Sequence, residues 1–332
     1  MTWRQKVKLF KLTSGLHWSV NQVSNNTGEL LAELVRSGVV ESIHNGHLVE
    51  IGADGTVLRT RGSVNHPIFP RSSVKVFQAS GMVRAGLKLT PKQLAVVCSS
   101  HSGSAEHFET ILSILASVGL DEKALRCATG LPFGESERIA WGDKPATQLS
   151  MNCSGKHSGM IAASAAAGWD LESYTNPDHP LQQLIAQEIV TLTGEPLQHV
   201  AADGCGAPLF AVSTLGLARA IHNFTLSTDP VHQEVMAACR AFPEMTGGVG
   251  RLHSKLMKAI PGFFMKDGAE GVNVFSMADG RTCAIKFADG SYRASGPVVT
   301  AVLRGWGVDA PDERVDVLGG GKVVGEIRAV LD

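Results

Sequence analysis

The chain has 332 residues, long for one small module and short for three, so one large α/β or α+β unit, or two joined lobes, is the starting expectation. Hydrophobic residues make up 44% and charged residues 18%, against about 25% charged in ordinary globular proteins, which excludes a disordered chain. Thirty basic and 31 acidic side chains leave a formal charge of −1, so nothing in the charge balance calls for nucleic acid or an anionic membrane, and a small-molecule partner is expected.

Residues 1–28 are locally basic and show no clear periodicity; they read as an N-terminal arm, without the apolar core of a secretory signal. The folded part, residues 29–332, is expected to be a single domain beginning near Leu30. Residues 47–51 and 56–60 are short β-prone runs around Ala53-Asp54-Gly55, where Asp-Gly supplies the positive φ a tight hairpin needs. From Ser72 the pattern turns helical over residues 75–84, 106–118, 154–167 and 181–193, with Gly86, Gly119, Gly168 and Gly194 as stops and Pro180 at a start. The run 154–167 is so rich in Ala, Gly and Ser that it is expected to pack backbone-close in the interior. After Gly271 the β signal returns at 272–277, 282–287 and 291–294, and 323–330 reads as a closing strand. Strands at both ends and helices between them predict an α+β fold, one antiparallel sheet formed by the N- and C-terminal strands and covered by helices. No apolar run approaches the ~18 residues of a membrane span, and the six cysteines are too scattered to suggest a disulfide framework, so a cytoplasmic chain with reduced thiols is expected.

Several segments carry groups able to do chemistry. Ser72 and Lys75 form an S-x-x-K; on a helix, positions i and i+3 share a face with Cβ atoms about 5–6 Å apart, as a serine nucleophile and a lysine base require. Such a lysine must be neutral to accept a proton, and the bland alternative is a solvated helix start. The stretch from Cys98 to Glu106 offers hydroxyls and backbone N–H groups at a helix entry, able either to hold an oxyanion or simply to cap the helix through Ser102 or Ser104. Cys153, Lys156 and His157 fall on one helix face, and Asp203-Gly204-Cys205-Gly206 is a loop with a second thiol. Two separated thiols and one nitrogen donor would suit a zinc site with an open fourth position; buried free thiols are the competing reading. Lys266, in a glycine-flanked stretch before the last strands, is either a surface turn residue or a lysine at a strand edge facing a cleft.

Taken together and in order, FPRSSVKVFQA (69–79), VVCSSHSGSAEH (96–107), LSMNCSGKHSGM (149–160), DGCGAPLF (203–210) and MKDGAEGV (265–272) resemble the rhizobial-type, or class 3, L-asparaginases. The resemblance spans roughly residues 30–332. It implies a fold similar to the serine β-lactamases and related glutaminases, and an amidohydrolase that converts L-asparagine to L-aspartate through two Ser-Lys tandems. By motif, Ser72 with Lys75 is similar to the first tandem and Ser104 with Lys266 to the second. Cys153, Lys156 and Cys205 look like ligands of a Zn²⁺, and Arg71, His157 and Asp203 like residues that orient substrate or water. A homodimer is implied as well. The alternative is another S-x-x-K acyl-transfer enzyme, a glutaminase or β-lactamase relative, since Ser150-x-Asn152 and Lys266-x-Gly268 mimic the later motifs of those families; Asp267 then stands where Ser or Thr is expected.

Overall fold

A computed structural model describes residues 28–331; the proposed arm lies outside the described residues apart from Gly28. The chain opens with strands β1 (Glu29–Arg36), β2 (Val39–Ile51), β3 (Val57–Arg61) and the short β4 (Pro67–Ile68). Helices α1 (Lys75–Arg84), α2 (Pro91–Val97), α3 (Ala105–Ala116), α4 (Glu135–Trp141), α5 (Ser154–Ala167) and α6 (Pro180–Thr193) follow. Short strands β5 (Val200–Ala202), β6 (Pro208–Phe210) and β7 (Val212–Ser213) lead into α7 (Thr214–Leu226), α8 (Pro230–Ala241) and α9 (Leu252–Ala259). The chain then returns to strand as β8 (Phe264–Gly268), β9 (Val272–Ser276) and β10 (Thr282–Phe287), adds α10 (Ser295–Gly305), and finishes with β11 (Val315–Gly319) and β12 (Lys322–Ala329).

Strands from both ends of the chain form one antiparallel sheet in the order β11-β12-β1-β2-β10-β9-β8, with β3 paired to β2, so the fold is α+β as the strand and helix pattern predicts. The β2–β3 turn is the Asp-Gly hairpin: Gly55 has φ +84°, and the Asp54 carboxylate accepts from Thr56 N. Register sorts the two faces of the sheet, because residues opposite one another share a face. Glu50, Cys283 and Phe275 are one row; it faces α10, where Trp306 lies 5.6 Å from the Phe275 ring and donates to Glu50. Val49, Ala284, Val274 and Lys266 are the next row and look the other way, toward α7, whose Thr225 hydroxyl meets Ser276 at 2.7 Å. Helices therefore cover both faces, which is why β8 and β9 are buried at every position.

One predicted strand is absent. Residues 291–294 form a turn into α10, with Asp289 accepting from Ser291 N, Ser291 Oγ from Arg293 N, and Tyr292 O from Ser295 N; these local bonds leave no backbone groups for a ladder. The expectation for residues 154–167 holds. A Cβ at Gly155 would stand 2.4 Å from Val96 O, and one at Gly159 2.7 Å from the Val97 side chain, so α5 approaches α2 more closely than any larger residue would permit.

Candidate active site

Ser72 lies in a single 3-10 turn, Arg71–Val74, that feeds directly into α1, and Lys75 N–H donates to Ser72 O. Arg71 holds φ +54°, a left-handed conformation uncommon for a side chain with Cβ, so the backbone is strained one residue before Ser72. What packs against this turn is edge strand β8: a Cβ at Gly268 would fall 2.3 Å from Pro70 O and 3.0 Å from Ser73 N. Only glycine fits there, and the contact sets Ser72 beside the end of the strand that carries Lys266.

Lys75 is buried at 1% exposure, and its amine donates to Ser99 O, to Ser100 Oγ at 3.1 Å and to Cys153 Sγ at 3.1 Å. Ser72 Oγ is not among these partners; the hydroxyl in contact with the Lys75 amine belongs to Ser100. Ser104 is elsewhere. It is the N-cap of α3, accepting from His107 N and meeting His107 Nδ1 at 2.7 Å, and its hydroxyl makes no bond with Lys266. The resemblance singles out Ser104 among Ser99, Ser100, Ser102 and Ser104; in the structure the hydroxyl that meets a lysine is that of Ser100, 25 positions from Lys75. Ser150 is also tied up, donating to Gly130 O at 2.6 Å in a loop, which removes the hydroxyl that the S-x-x-K alternative needs as its second motif.

Lys266 is not a surface turn residue. It is fully buried on β8, and its amine donates to Asp267 O at 3.0 Å and to the Asp267 carboxylate. Asp267 also receives Arg251 Nη2, and His253 Nδ1 lies 3.5 Å from its Oδ1. Burial pushes the Lys266 amine below the usual lysine range, with Asp267 opposing and the nearby Lys75 charge reinforcing. For Asp267, burial acts to raise the carboxyl, but Lys266, His253 and Arg251 outweigh it and hold the group well below the ordinary carboxylate range. No local pattern marks Arg251, and in the sequence Asp267 stands out only as a departure from a motif; two cationic heads meeting on one carboxylate is a fact of tertiary structure.

The sulfur cluster assembles as the motifs imply. Cys153 is the residue before α5, Lys156 sits one turn along, and Cys205 occupies the β5–β6 turn, where Asp203 N donates to Ala207 O and Gly206 takes φ +92°. Lys156 Nζ donates to Cys205 Sγ at 3.2 Å, and Asp203 Oδ2 lies 3.5 Å from the same sulfur. The neighbouring Cys153, and then Lys156, lower the Cys205 thiol to about 5, while Cys205 and burial push Cys153 up to about 12. Cys205 is thus the more acidic of the two thiols. Among the described residues no three His, Cys, Asp or Glu side chains gather for a metal; here the third donor is an amine. Two sulfurs and an amine form a donor set chemically suited to a borderline-soft ion such as Zn²⁺, once the ion displaces the proton of Lys156, which Cys205, Cys153 and Asp203 hold above its ordinary value against burial.

Arg71 Nε donates to Asp203 Oδ1 at 2.7 Å, which joins the Ser72 turn to the Cys205 loop. His157 points away from this pair. Tyr174 OH already accepts from Arg126 N, so its proton goes to His157 Nδ1, 2.7 Å distant, and the imidazole carries its own proton on Nε2, which is buried without a hydrogen-bond partner. Burial, with Lys156 adding to it, pushes His157 down to about 3, so the ring is neutral.

The L-asparaginase II family model matches residues 32–329, nearly the whole described chain. No curated protein matches. Among solved structures, a protein from Bacteroides dorei DSM 17855 provisionally named a beta-lactamase is similar with a TM-score of 0.42 and 12% identity, covering 78% of this chain and 93% of its own. Among the described residues, no helix is long and apolar enough to cross a membrane.

Proposed function

Since the chain belongs to the L-asparaginase II family, we propose that it hydrolyses the side-chain amide of L-asparagine to L-aspartate and ammonia, with Ser72 as nucleophile and Lys75 and Ser100 as its proton-handling partners. The observation that carries this reading is the buried contact of Lys75 with Ser100 immediately behind the strained Ser72 turn. Ser72 Oγ attacks the amide carbon and its proton passes to the Ser100–Lys75 pair. When the tetrahedral intermediate collapses, the C–N bond breaks and the same pair returns the proton to the departing ammonia. Water then cleaves the ester and releases aspartate. The backbone N–H of Ser72, beside the outer edge of β8, is suited to the developing oxyanion, and the Lys266 ammonium adds positive charge at that end of the site. In this reading Ser100, rather than Ser104, is the second serine.

Cys153, Lys156 and Cys205 would hold a Zn²⁺, which when bound supplies Lewis-acid polarisation next to the substrate; Asp203 and Arg71 orient the ligand side of that cluster. The small-molecule substrate follows from the family; a homodimer and a cytoplasmic location rest on the sequence resemblance alone. Two outcomes are expected. Purified protein should release ammonia from L-asparagine faster than from L-glutamine in a coupled assay that also includes a chromogenic β-lactam. Glutamine turnover equal or faster would move the chain to glutaminase, and β-lactam cleavage alone to the S-x-x-K relatives. Elemental analysis at pH 8 should find about one zinc per chain, falling as protons compete for the donors and largely lost in Cys205→Ser. Equal zinc in both proteins would remove Cys205 from the site.

A further inference from the structure

Asparagine brings a zwitterion to any site that cleaves its side-chain amide, and the α-carboxylate, a few bonds from the scissile carbon, must be met by a cation near Ser72. The lysines are poor candidates: Lys75, Lys156 and Lys266 are 1–2% exposed and spend their donors inward, on Ser100 and Cys153, on Cys205, and on Asp267. Arginines are more open. The Arg71 and Arg251 side chains are 25% and 22% exposed, each paired with an aspartate, Arg71 with Asp203 and Arg251 with Asp267. The Tyr292 phenol, which donates to Gly268 O, is close enough to feel the charges of Asp267, Arg251 and Arg71 together, so the two arginines stand around one side chain next to the β8 edge.

The two pairs are not equivalent. Asp267 answers two cationic side chains, Lys266 and Arg251, with a single carboxylate, so that corner has an excess of positive charge. Arg251 uses Nη2 on Asp267, while its Nη1 is buried without a hydrogen-bond partner. A polar atom left in that state calls for an explanation, and a ligand that completes it is one. Arg251 also stacks on the Phe133 ring, 4.6 Å from guanidinium carbon to centroid, which fixes the plane of the fork. Phe133 is itself 45% exposed and precedes α4, a helix with no buried residue, so the ring can move without disturbing the core.

Resting on the asparaginase reading, we propose that Arg251 is the receptor for the substrate α-carboxylate, and that it makes this enzyme selective for free amino-acid amides over amides lacking that group. A guanidinium held flat, with one nitrogen on Asp267 and the other without a partner, matches a planar carboxylate in a way an ammonium does not.

The test compares L-asparagine with 3-aminopropanamide, the same molecule with the α-carboxylate replaced by hydrogen, and pairs it with calorimetric binding of L-aspartate and β-alanine. Wild type should favour asparagine by about 100-fold or more in kcat/KM, the range a site loses when a built hydrogen-bond partner goes unmet. In Arg251→Met this preference should collapse to within a few-fold, mainly through KM, and L-aspartate should bind no better than β-alanine. Arg251→Lys, which keeps the charge and the pairing with Asp267, should retain part of the preference. Equal losses on both substrates would overturn the proposal and make Arg251 a support for Asp267 and Lys266. Full preference retained in Arg251→Met would overturn it in favour of Arg71. A wild-type protein that neither cleaves asparagine nor binds L-aspartate would show instead that the underlying asparaginase reading fails.

Discussion

Replacing Ser72 by alanine is expected to lower kcat on L-asparagine by about 1,000-fold or more with little change in thermal stability, because the proposed mechanism places the covalent bond on this hydroxyl and the residue is only partly buried. Lys75→Met should match it closely, since residues that act as one proton-transfer unit give non-additive losses. The double variant should be hardly worse than either single one. Ser100→Ala should cost more than Ser104→Ala, whose hydroxyl is spent on the α3 N-cap and whose loss should read mainly as about 1 kcal/mol of stability. Kinetics and melting curves on the four proteins decide the roles. A folded Ser72→Ala enzyme with near wild-type kcat would hand the nucleophile to Ser100, the hydroxyl that touches Lys75.

Lys266→Met should lower kcat by about 100-fold, raise KM far less, and flatten the alkaline limb of the pH profile. The sign follows from the surroundings of the amine. Asp267 faces it as the anion; Lys75, Arg251, His253 and the Cys98 thiol are its other titratable or cationic neighbours. His253 is pushed down to about 3 by burial and the Cys98 thiol is pushed well up by burial, so neither changes charge in the neutral range. What remains is a lysine pushed below its ordinary value by burial, against Asp267. Its positive charge is therefore complete at low pH and disappears as pH rises through that lowered value, taking transition-state stabilisation with it. An alkaline limb unchanged in Lys266→Met would assign that ionisation to another group.

Local signals in the sequence were read well. Asp54-Gly55, the stops at Gly168 and Gly194, and the small-residue run of α5 each depend on a few adjacent residues, and these elements lie within a few positions of their place in the fold, unlike the strand expected at 291–294. Helix α10 was hidden because Val298, Val299, Thr300 and Val302 have the branched composition of a strand; burial of that row against the sheet overrides local preference. Asp229-Pro230 was a legible start for α8, a capping carboxylate followed by proline at the first helical position, and went unused. In the site, helix spacing places Cys153 and Lys156 on one face of α5, whereas the approach of Cys205 is implied by the family resemblance alone. The preference for Ser100 over Ser104, and the sharing of Asp267 by Lys266 and Arg251, depend on segments brought together only by the tertiary fold.

Strand β2 pairs along residues 46–51 with residues 282–287 of β10. On the ribosome, the first hairpin therefore emerges with the edge destined for β10 bare, and it stays bare while every helix from α1 to α9 is made. Loop closure over that span is slow compared with helix formation, so the nascent chain passes through a stage with its helices formed and the apolar rows of β2 unclosed. That stage is the one most exposed to mispairing between chains, and yield in a heterologous host should respond more to synthesis rate and holding chaperones than to substitutions that stabilise the finished sheet.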